Sequence, residues 1–193
     1  MNNKLRVLHV LGGLCAGGSE SRIMDLYRNI DKTKIQFDFL LHSNVKGFYE
    51  DEVKKLGGRI FTVPKFGPKS LFSYPQSLES FFRNHPEYKI VHGHILSCGP
   101  IYNKIAKKHG VPVRIAHSRC GSRNKITFEN ITKEFFKRLT RFYVTHQFAV
   151  SRVAGISAFG KRNVTNGKTK IIPNAINTKK YLYNDSLRSQ LRK

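Results

Sequence analysis

The strongest constraint on the fold is the regular return of short, mostly apolar segments, each separated from the next by a helix-length segment. Adjacent apolar positions, as in Val7 to Leu11, are typical of strands that are covered on both faces. Strands are predicted at Leu5–Leu11, Gln36–Leu41, Arg59–Val63, Lys89–His92, Val113–His117, Gln147–Val150 and Lys170–Ile172. Strands that alternate with helices predict an α/β fold with a doubly wound, mostly parallel sheet and helices on both faces.

Capping and turn-forming residues mark the ends of the predicted helices. Ser19, Glu20 and Ser21 are typical of a helix start, and the helix that follows runs to about Asn29. Its predicted buried stripe consists of Ile23, Met24, Leu26, Tyr27 and Ile30. Glycines end two further helices, at Gly57-Gly58 and at Gly110. Each predicted helix therefore stops where the next strand begins.

Positive charge is concentrated in the second half of the chain. The 193 residues, a length that suits one α/β domain, carry 35 lysines and arginines against 12 acids, a net charge of +23. Between Tyr88 and Asn184 there are 19 basic residues and only two acids. Such a region attracts polyanions, and nucleic acid, anionic lipid headgroups and phosphorylated substrates all remain open.

The sequence also restricts the compartment. No run approaches the ~18 apolar residues of a membrane span, and the first apolar segment is too short and too early for a signal peptide. The three cysteines, Cys15, Cys98 and Cys120, lack the spacing of a zinc site or of a disulfide framework. We therefore expect a cytoplasmic protein, either free or peripheral at the inner face of the cell membrane.

Two glycine pairs, Gly12-Gly13 and Gly17-Gly18, lie between the first strand and the first helix. Glycine lets the backbone approach a ligand closely, and a helix N-terminus offers free N–H groups to a phosphate. An ordinary turn is the alternative. The GGxxxGG spacing differs from GxGxxG and from GxxxxGK[ST], and His42-Ser43 stands where a dinucleotide site needs an acid. Nicotinamide oxidoreductases are disfavoured and P-loop NTPases are excluded.

Four stretches, in the same order along the chain, resemble the retaining GT-B glycosyltransferases that build bacterial capsular polysaccharides and exopolysaccharides. They are Leu8–Leu14 with the following Gly17-Gly18-Ser19-Glu20, then Ile90–His94, Arg114–Ser118 and Ile171–Asn177. Together they extend over nearly the whole chain. The last stretch departs from the family pattern Pro-Asn-Gly-(Ile/Val)-Asp, because Ala175 and Asn177 replace the glycine and the aspartate.

The resemblance implies the N-terminal half of a two-domain enzyme. Residues 1–180 would be the Rossmann-like acceptor-side domain and residues 181–193 the start of the interdomain linker or helix, with the C-terminal donor-binding domain absent. The complete enzyme, of the hexosyltransferase type, would move a sugar from a nucleotide diphosphate sugar to a polyprenyl-diphosphate-linked saccharide with retention at the anomeric carbon. It would need neither a cofactor nor a metal, and this half alone is expected to be inactive.

Histidines follow the fourth strand, where doubly wound folds place their ligands. His92 and His94 alternate along an extended chain, so both side chains are expected on one face. The resemblance makes His94 the candidate for a catalytic residue, beside the reacting sugar, and the capping of the next helix is the alternative role. A zinc site built from His92, His94 and His117 lacks a helix-spaced pair and cysteine partners, and is disfavoured.

The other predicted site residues lie in two loops. Gly17 and Gly18 are expected to approach the donor diphosphate. His117, Ser118 and Arg119 look like the acceptor-side loop of the family, and a solvated surface loop is the alternative. The loop continues through Gly121, Arg123, Asn124 and Lys125. Its cationic side chains suit an acceptor that carries a pyrophosphate.

A basic helix is predicted within 129–143. Ile131, Phe135, Leu139 and Phe142 share one helical face, which core packing would bury. The alternative is a helix on an anionic membrane, with Phe136 and Tyr143 in the interface. An anionic membrane surface is thus an expected partner of the enzyme. The rival function is a non-catalytic basic module that binds nucleic acid or membrane, but no nucleic-acid motif supports it, and we expect no nucleic-acid partner.

Overall fold

The computed structural model describes residues 4–119, 128–176, 178 and 182–192, and for residues 128–133 and 187 it describes the backbone only. Within these ranges seven strands form one sheet. The strands are β1 (Leu5–Leu11), β2 (Ile35–Leu41), β3 (Ile60–Thr62), β4 (Ile90–Gly93), β5 (Val113–Ser118), β6 (His146–Ala149) and β7 (Thr169–Ile171). Every neighbouring pair is parallel. The predicted fold class is confirmed, and each strand bound lies within one residue of its predicted position.

The order of strands in the sheet is β3-β2-β1-β4-β5-β6-β7. The chain first winds outward from β1 to β3, and then returns to the other side of β1 and winds outward again from β4 to β7. The direction of winding changes between β1 and β4. Doubly wound sheets bind their ligands at such a point, outside the carboxyl ends of the two strands.

Eight α-helices are described. They are α1 (Gly18–Asn29), α2 (Glu50–Lys55), α3 (Ser73–Asn84), α4 (Gly99–Lys108), α5 (Phe128–Leu139), α6 (Arg152–Phe159), α7 (Lys161–Thr165) and α8 (Asp185–Leu191), with 3-10 turns at Pro68–Ser70 and Thr140–Phe142. Gly57 and Gly110 follow α2 and α4 with φ of 85° and 77°, so the predicted helix-ending glycines are confirmed. Among the described helices, none is long and apolar enough to cross a bilayer.

The sheet carries a separate apolar core on each face, because successive residues of a strand point to opposite faces. In β1, Val7 and Leu11 pack with Ile23 and Met24 of α1 on one face. Leu8 and Val10 pack on the other face with the aromatic residues of α3 and with α4. The helices on both faces explain why the strands have so few exposed positions.

Two details of the predicted helices are wrong. Gly17, and not Ser19, occupies the N-cap of α1, and no side chain caps it. Leu26, predicted in the buried stripe, is 55% exposed. The stripe is narrower than predicted: the side chains of Ile23, Met24 and Tyr27 are buried, and that of Ile30 is partly buried against the same core.

The predicted buried face of α5 is also wrong. Phe135 is 60% exposed and Phe142, in the turn that follows, is 65% exposed. Lys137 is buried instead, and its ammonium donates to Ser157 Oγ at 2.9 Å and reaches Glu134 at 3.3 Å. Phe136, which the membrane alternative placed in the interface, packs against Phe66 with ring centroids 5.7 Å apart. The side chain of Ile131 lies outside the described residues.

A buried carboxylate joins three parts of the sheet at its amino-terminal side. Asp38 on β2 is fully buried and accepts hydrogen bonds from the Arg6 guanidinium, the Tyr88 hydroxyl at 2.7 Å and the backbone N–H of Arg59 at 2.7 Å. Burial by itself would raise the pKa of Asp38, but the hydrogen bonds from Arg6, Tyr88 and Arg59 outweigh it and hold this pKa below its ordinary value. Asp38 thereby ties β1, β2 and the turn before β4 together.

We expect Asp38→Asn to destabilise the fold by about 3 kcal/mol, near the lower end for a broken buried ion pair, because Arg59 keeps 40% of its side chain exposed. A depressed folded-state pKa gives stability that is present above the unfolded-state value of about 4 and is lost as the pH falls through the folded-state value. The difference between wild type and variant should therefore shrink in acid. Urea unfolding from neutral pH downward measures it.

The control for this experiment is Asp51→Asn, which breaks an exposed ion pair with Lys46 and should change the unfolding free energy little at any pH. Equal stability of wild type and Asp38→Asn at neutral pH would contradict the assigned role of Asp38.

Candidate functional site at the switch point of the sheet

The candidate site lies at the carboxyl ends of β1, β4 and β5, beside the point where the winding direction changes. Strand register places His9 of β1 directly opposite His92 of β4. His94 follows β4, and its N–H continues the ladder to the carbonyl of Val10. His117 is the next-to-last residue of β5. Four histidines thus reach the same edge of the sheet from three adjacent strands.

The glycine loop leaves the N-terminus of α1 open. Gly17 has φ −86° and ψ 166°, an extended conformation that other residues adopt, so its backbone conformation does not require glycine. A Cβ on Gly12 or Gly18 would meet nothing within 4 Å. A Cβ on Gly17 would lie 2.4 Å from Glu20 Oε2, at the far end of a flexible side chain. Open space therefore borders Gly12 and Gly18, whereas the Glu20 side chain lies beside Gly17.

Gly93, between the two predicted site histidines, is required by packing. A Cβ at this position would lie 1.9 Å from the hydroxyl oxygen of Tyr102, a side chain that is fully buried. The Tyr102 hydroxyl donates to the carbonyl of Ile95 at 3.1 Å, just after the histidines. Helix α4 therefore approaches the end of β4 so closely that only glycine fits there.

The first pair of histidines is joined end to end. His9 Nδ1 and His94 Nε2 are 3.1 Å apart, the ring centroids are 5.4 Å apart, and the ring planes differ by 9°. The centroid separation equals the N···N distance plus the two ring radii, which is the largest separation that this N···N distance permits. The rings therefore lie edge to edge in one plane, as in a straight N–H···N hydrogen bond.

The second pair repeats this arrangement. His92 Nε2 and His117 Nδ1 are 3.1 Å apart, with centroids 5.3 Å apart and planes 5° apart. The two pairs are in contact through His92 and His94, whose rings stack with centroids 4.4 Å apart and planes 30° apart. We call these four residues, His9, His92, His94 and His117, the histidine array.

The histidine array is uncharged. Burial, assisted by the positive charge of Arg119, lowers the pKa of His9 to about 3 and that of His117 to about 3. Burial also holds the pKa values of His92 and His94 well below the ordinary value, and the neighbouring histidines add to the effect. Each head-to-head bond therefore joins two neutral rings, one as donor and the other as acceptor.

Arg119 connects the histidine array to two other parts of the site. Its Nε–H donates to His94 Nδ1 at 3.3 Å, and its Nη1 donates to Asn174 Oδ1 at 3.1 Å. Burial lowers the pKa of Arg119, and the nearby charge of Glu20 in the first turn of α1 opposes this. Arg22 of α1 donates to the carbonyl of Ala175 at 3.3 Å. The segment 173–175 is thus attached to both the array and α1.

Most of the predicted site residues come together. His92, His94, His117 and Arg119 form one cluster, and both histidines of the HGH motif face the same way, as predicted. The hydroxyl of Ser118 is buried and donates to the carbonyl of Ala154 at 3.1 Å. Residues 121, 123, 124 and 125 of the predicted acceptor loop lie outside the described residues. His9 was missed, although its position two residues before the end of β1 was a usable signal.

The array includes a group of three residues, His9, His92 and His94, whose nearest ring nitrogens all lie within 4.8 Å of one another. This group differs from the trio that the sequence suggested, because His9 replaces His117. In a metal site the lone pairs of the ligands converge on a common point. Here His9 Nδ1 and His94 Nε2 point directly at each other, which is the geometry of a hydrogen bond. The array does not have the geometry of a preformed metal site.

Comparison with known proteins gives the family. Residues 16–180 match Glycosyltransferase Family 4. The chain is 34% identical over 178 residues to EpsF of Bacillus subtilis (strain 168), whose name assigns it to the glycosyltransferases; the match covers 91% of this chain and 46% of EpsF. It is 24% identical over 153 residues to the capsular polysaccharide biosynthesis glycosyltransferase CapH of Staphylococcus aureus, covering 78% of this chain and 41% of CapH.

Solved structures share the fold. The crystal structure of Anabaena Alr3699/HepE in complex with UDP superposes with a TM-score of 0.68 at 15% identity, covering 97% of this chain and 50% of that one. Acinetobacter baumannii MurG gives a TM-score of 0.59 at 10% identity, covering 89% and 46%. The chain thus spans about half the length of the proteins that it matches. The family that the sequence motifs predicted is confirmed: the chain belongs to Glycosyltransferase Family 4.

Proposed function

We propose that this chain is the acceptor-side half of a glycosyltransferase that moves a sugar from a nucleotide diphosphate sugar to a lipid-linked saccharide. The observation that carries the proposal is the open N-terminus of α1 next to Arg119 and the histidine array, at the switch point of the sheet, in a chain of Glycosyltransferase Family 4. The bound UDP of the HepE structure, which has the same fold, supports the nucleotide part of the donor.

In the proposed reaction the bond between the anomeric carbon and the diphosphate breaks, and a bond from that carbon to an acceptor hydroxyl forms. The departing diphosphate accumulates negative charge. The uncapped N–H groups of α1 at Gly17 and Gly18 supply donors and a positive dipole end to it. Retention at the anomeric carbon is inferred from the family resemblance, and the proposal requires neither a metal nor a cofactor.

The acceptor is assigned to His117, Ser118 and Arg119. His117 Nε2 is buried and has no hydrogen-bond partner among the described residues, so one polar atom beside Ser118 and Arg119 is left unsatisfied. Arg119 carries a positive charge suited to a pyrophosphate. The Ser118 hydroxyl is bonded to Ala154, so we assign Ser118 a role in holding the loop. His94 remains the candidate beside the reacting sugar, but both of its ring nitrogens have protein partners.

We expect this chain alone to show no sugar transfer, since catalysis needs groups from both sides of the cleft held together. The assay incubates it with a panel of nucleotide diphosphate sugars and a polyprenyl-diphosphate saccharide, and compares it with the same chain joined to a donor-binding domain. Transfer by the joined protein only is the expected result. Turnover by the isolated chain would show that residues 1–180 are not half of the active site, and inactivity of both would count against the proposed reaction.

In the joined protein, Gly17→Ala and Gly17→Val should lower turnover in order of side-chain size, by roughly tenfold and hundredfold, or about 1.4 and 2.7 kcal/mol. The added atoms occupy space needed by the diphosphate, while φ −86° causes no backbone strain and Glu20 can move aside. Melting temperatures should therefore stay near that of wild type.

Gly67→Val is the control for Gly17→Val, because the backbone of Gly67 is likewise extended and a Cβ on Gly67 meets nothing within 4 Å. Its turnover should be unchanged. Near-normal turnover of both Gly17 variants would mean that the loop is an ordinary turn.

We further propose that the domain binds anionic membrane through an exposed aromatic and basic surface. Leu71, Phe72, Phe135 and Phe142 are all more than half exposed. The contact between Phe66 and Phe136 brings the segment before α3 against α5, and Arg141 lies over the Phe142 ring at 4.8 Å. Aromatic rings beside cationic groups suit the interface of a bilayer with anionic headgroups.

Replacing Phe135 and Phe142 together by serine should weaken binding to anionic vesicles by roughly tenfold, because two rings no longer enter the interface. Phe48→Ser is the matched control, since Phe48 is 74% exposed on a different loop. Vesicle binding is measured by co-sedimentation with phosphatidylglycerol and with phosphatidylcholine vesicles at two salt concentrations. Equal binding to both lipids would remove the electrostatic argument, and tight salt-sensitive DNA binding without vesicle binding would favour the rival function.

A further inference from the structure

The geometry points to Arg119 as the residue that fixes where the protons lie in the first pair of the histidine array. In this arrangement His94 carries its proton on Nε2 and donates it to His9 Nδ1, and His9 carries its own proton on Nε2. Arg119 is thus a positioning residue that acts on His9 through His94. The arrangement of protons is a property of this chain by itself. Its contribution to sugar transfer rests on the proposed function.

The argument begins with the arginine. A guanidinium has only donors and stays protonated in proteins. The Nε–H of Arg119 is directed at His94 Nδ1 at 3.3 Å, so that nitrogen must offer a lone pair. A proton on His94 Nδ1 would place two donors against each other. A doubly protonated His94 would in addition bring a second positive charge next to Arg119 in a buried position.

Because His94 and His9 are joined by an in-line hydrogen bond, the position of the proton on His94 also determines its position on His9. With Nδ1 as acceptor, neutral His94 must hold its proton on Nε2, the atom that points straight at His9 Nδ1. His9 Nδ1 is therefore the acceptor, and the proton of His9 lies on Nε2. That atom is buried without a hydrogen-bond partner among the described residues. One charged side chain thereby sets the orientation of two consecutive N–H···N bonds.

The second pair has no such control. His92 Nε2 and His117 Nδ1 face each other, and no arginine donates to either ring within the described part of the chain. Either ring can be the donor, so this pair serves as an internal reference. The other end of Arg119 holds Asn174, so the residue that orders the first pair also joins it to the segment after β7.

The test is ¹⁵N NMR of the imidazole nitrogens in histidine-labelled chain, with resonances assigned through His9→Gln and His94→Gln. In wild type we expect protonated Nε2 and unprotonated Nδ1 for both His94 and His9. Arg119→Met removes the donor and the charge while keeping an unbranched apolar stem, and should give averaged shifts for the two nitrogens of His94. Arg119→Lys keeps a donor and should preserve the wild-type pattern at least in part.

Asn174→Ala is the matched control, because it removes the other contact of Arg119 and leaves the bond to His94, so the imidazole shifts should not change. A proton on His94 Nδ1 in wild type would overturn the inference, and so would an unchanged His94 pattern in a folded Arg119→Met variant. If Arg119→Met does not fold, as judged by thermal melting, Arg119→Gln replaces it, and a His94 pattern unchanged from wild type in that variant would overturn the inference.

In the joined protein, a positioning role predicts that Arg119→Met lowers kcat more than it changes KM for the donor, and that Arg119→Lys recovers part of the loss. If the wild-type joined protein shows no sugar transfer but the wild-type spectrum is as expected, the proposed function is rejected and the proton arrangement is retained. If the joined protein transfers sugar but the spectrum differs from the expected one, only the proton arrangement is rejected.

Discussion

The parallel pairing of β1 with β4 is the constraint on which the site depends. This pairing connects segments that are more than 80 residues apart, and it is also the point where the sheet reverses its winding. The register sets His9 against His92, and the continuation of the ladder to Val10 brings His94 beside them. A shift of one residue would turn these side chains to the other face of the sheet. The histidine array is therefore a product of strand register more than of any local motif.

Burial determines the chemistry that this register makes available. Four imidazoles at the edge of a basic protein would ordinarily be expected to gain protons as the pH falls, but desolvation and Arg119 keep them neutral. Neutral rings can both donate and accept, which allows two in-line hydrogen bonds where charged rings would repel one another. Within the described ranges Arg119 forms no salt bridge. Most of the acids instead form ion pairs at the opposite end of the sheet or on the outer helices. Asp38, for example, pairs with Arg6 and Arg59.

Sequence reasoning predicted the sheet well because burial on both faces leaves an unmistakable apolar run, and glycines mark the ends of α2 and α4. Sequence reasoning failed where contacts with other elements determine which side chain is buried. Periodicity could not tell that Lys137 would be buried by bonding to Ser157 while Phe135 stays exposed, since that choice depends on α6. It named His92, His94 and His117 from their motifs but missed His9, because the position of His9 near the end of β1 points to the site only once the pairing of β1 with β4 is known. The chemical roles of the site residues depend on bound ligands, which strand and helix patterns do not encode.

The small residue at position 17 and the acid at position 20 are related by the same geometry. With no side chain on Gly17, the Glu20 carboxylate can lie over the start of α1, where Ser19 Oγ donates to it at 3.1 Å and the charge of Arg119 is close. A carboxylate therefore occupies the neighbourhood of a helix N-terminus that would also attract a phosphate. Any diphosphate that binds there must compete with Glu20 for the space over the start of α1 and would change the charge beside Arg119. Because Arg119 also holds His94 and Asn174, that competition would be felt at the histidine array and at the segment after β7.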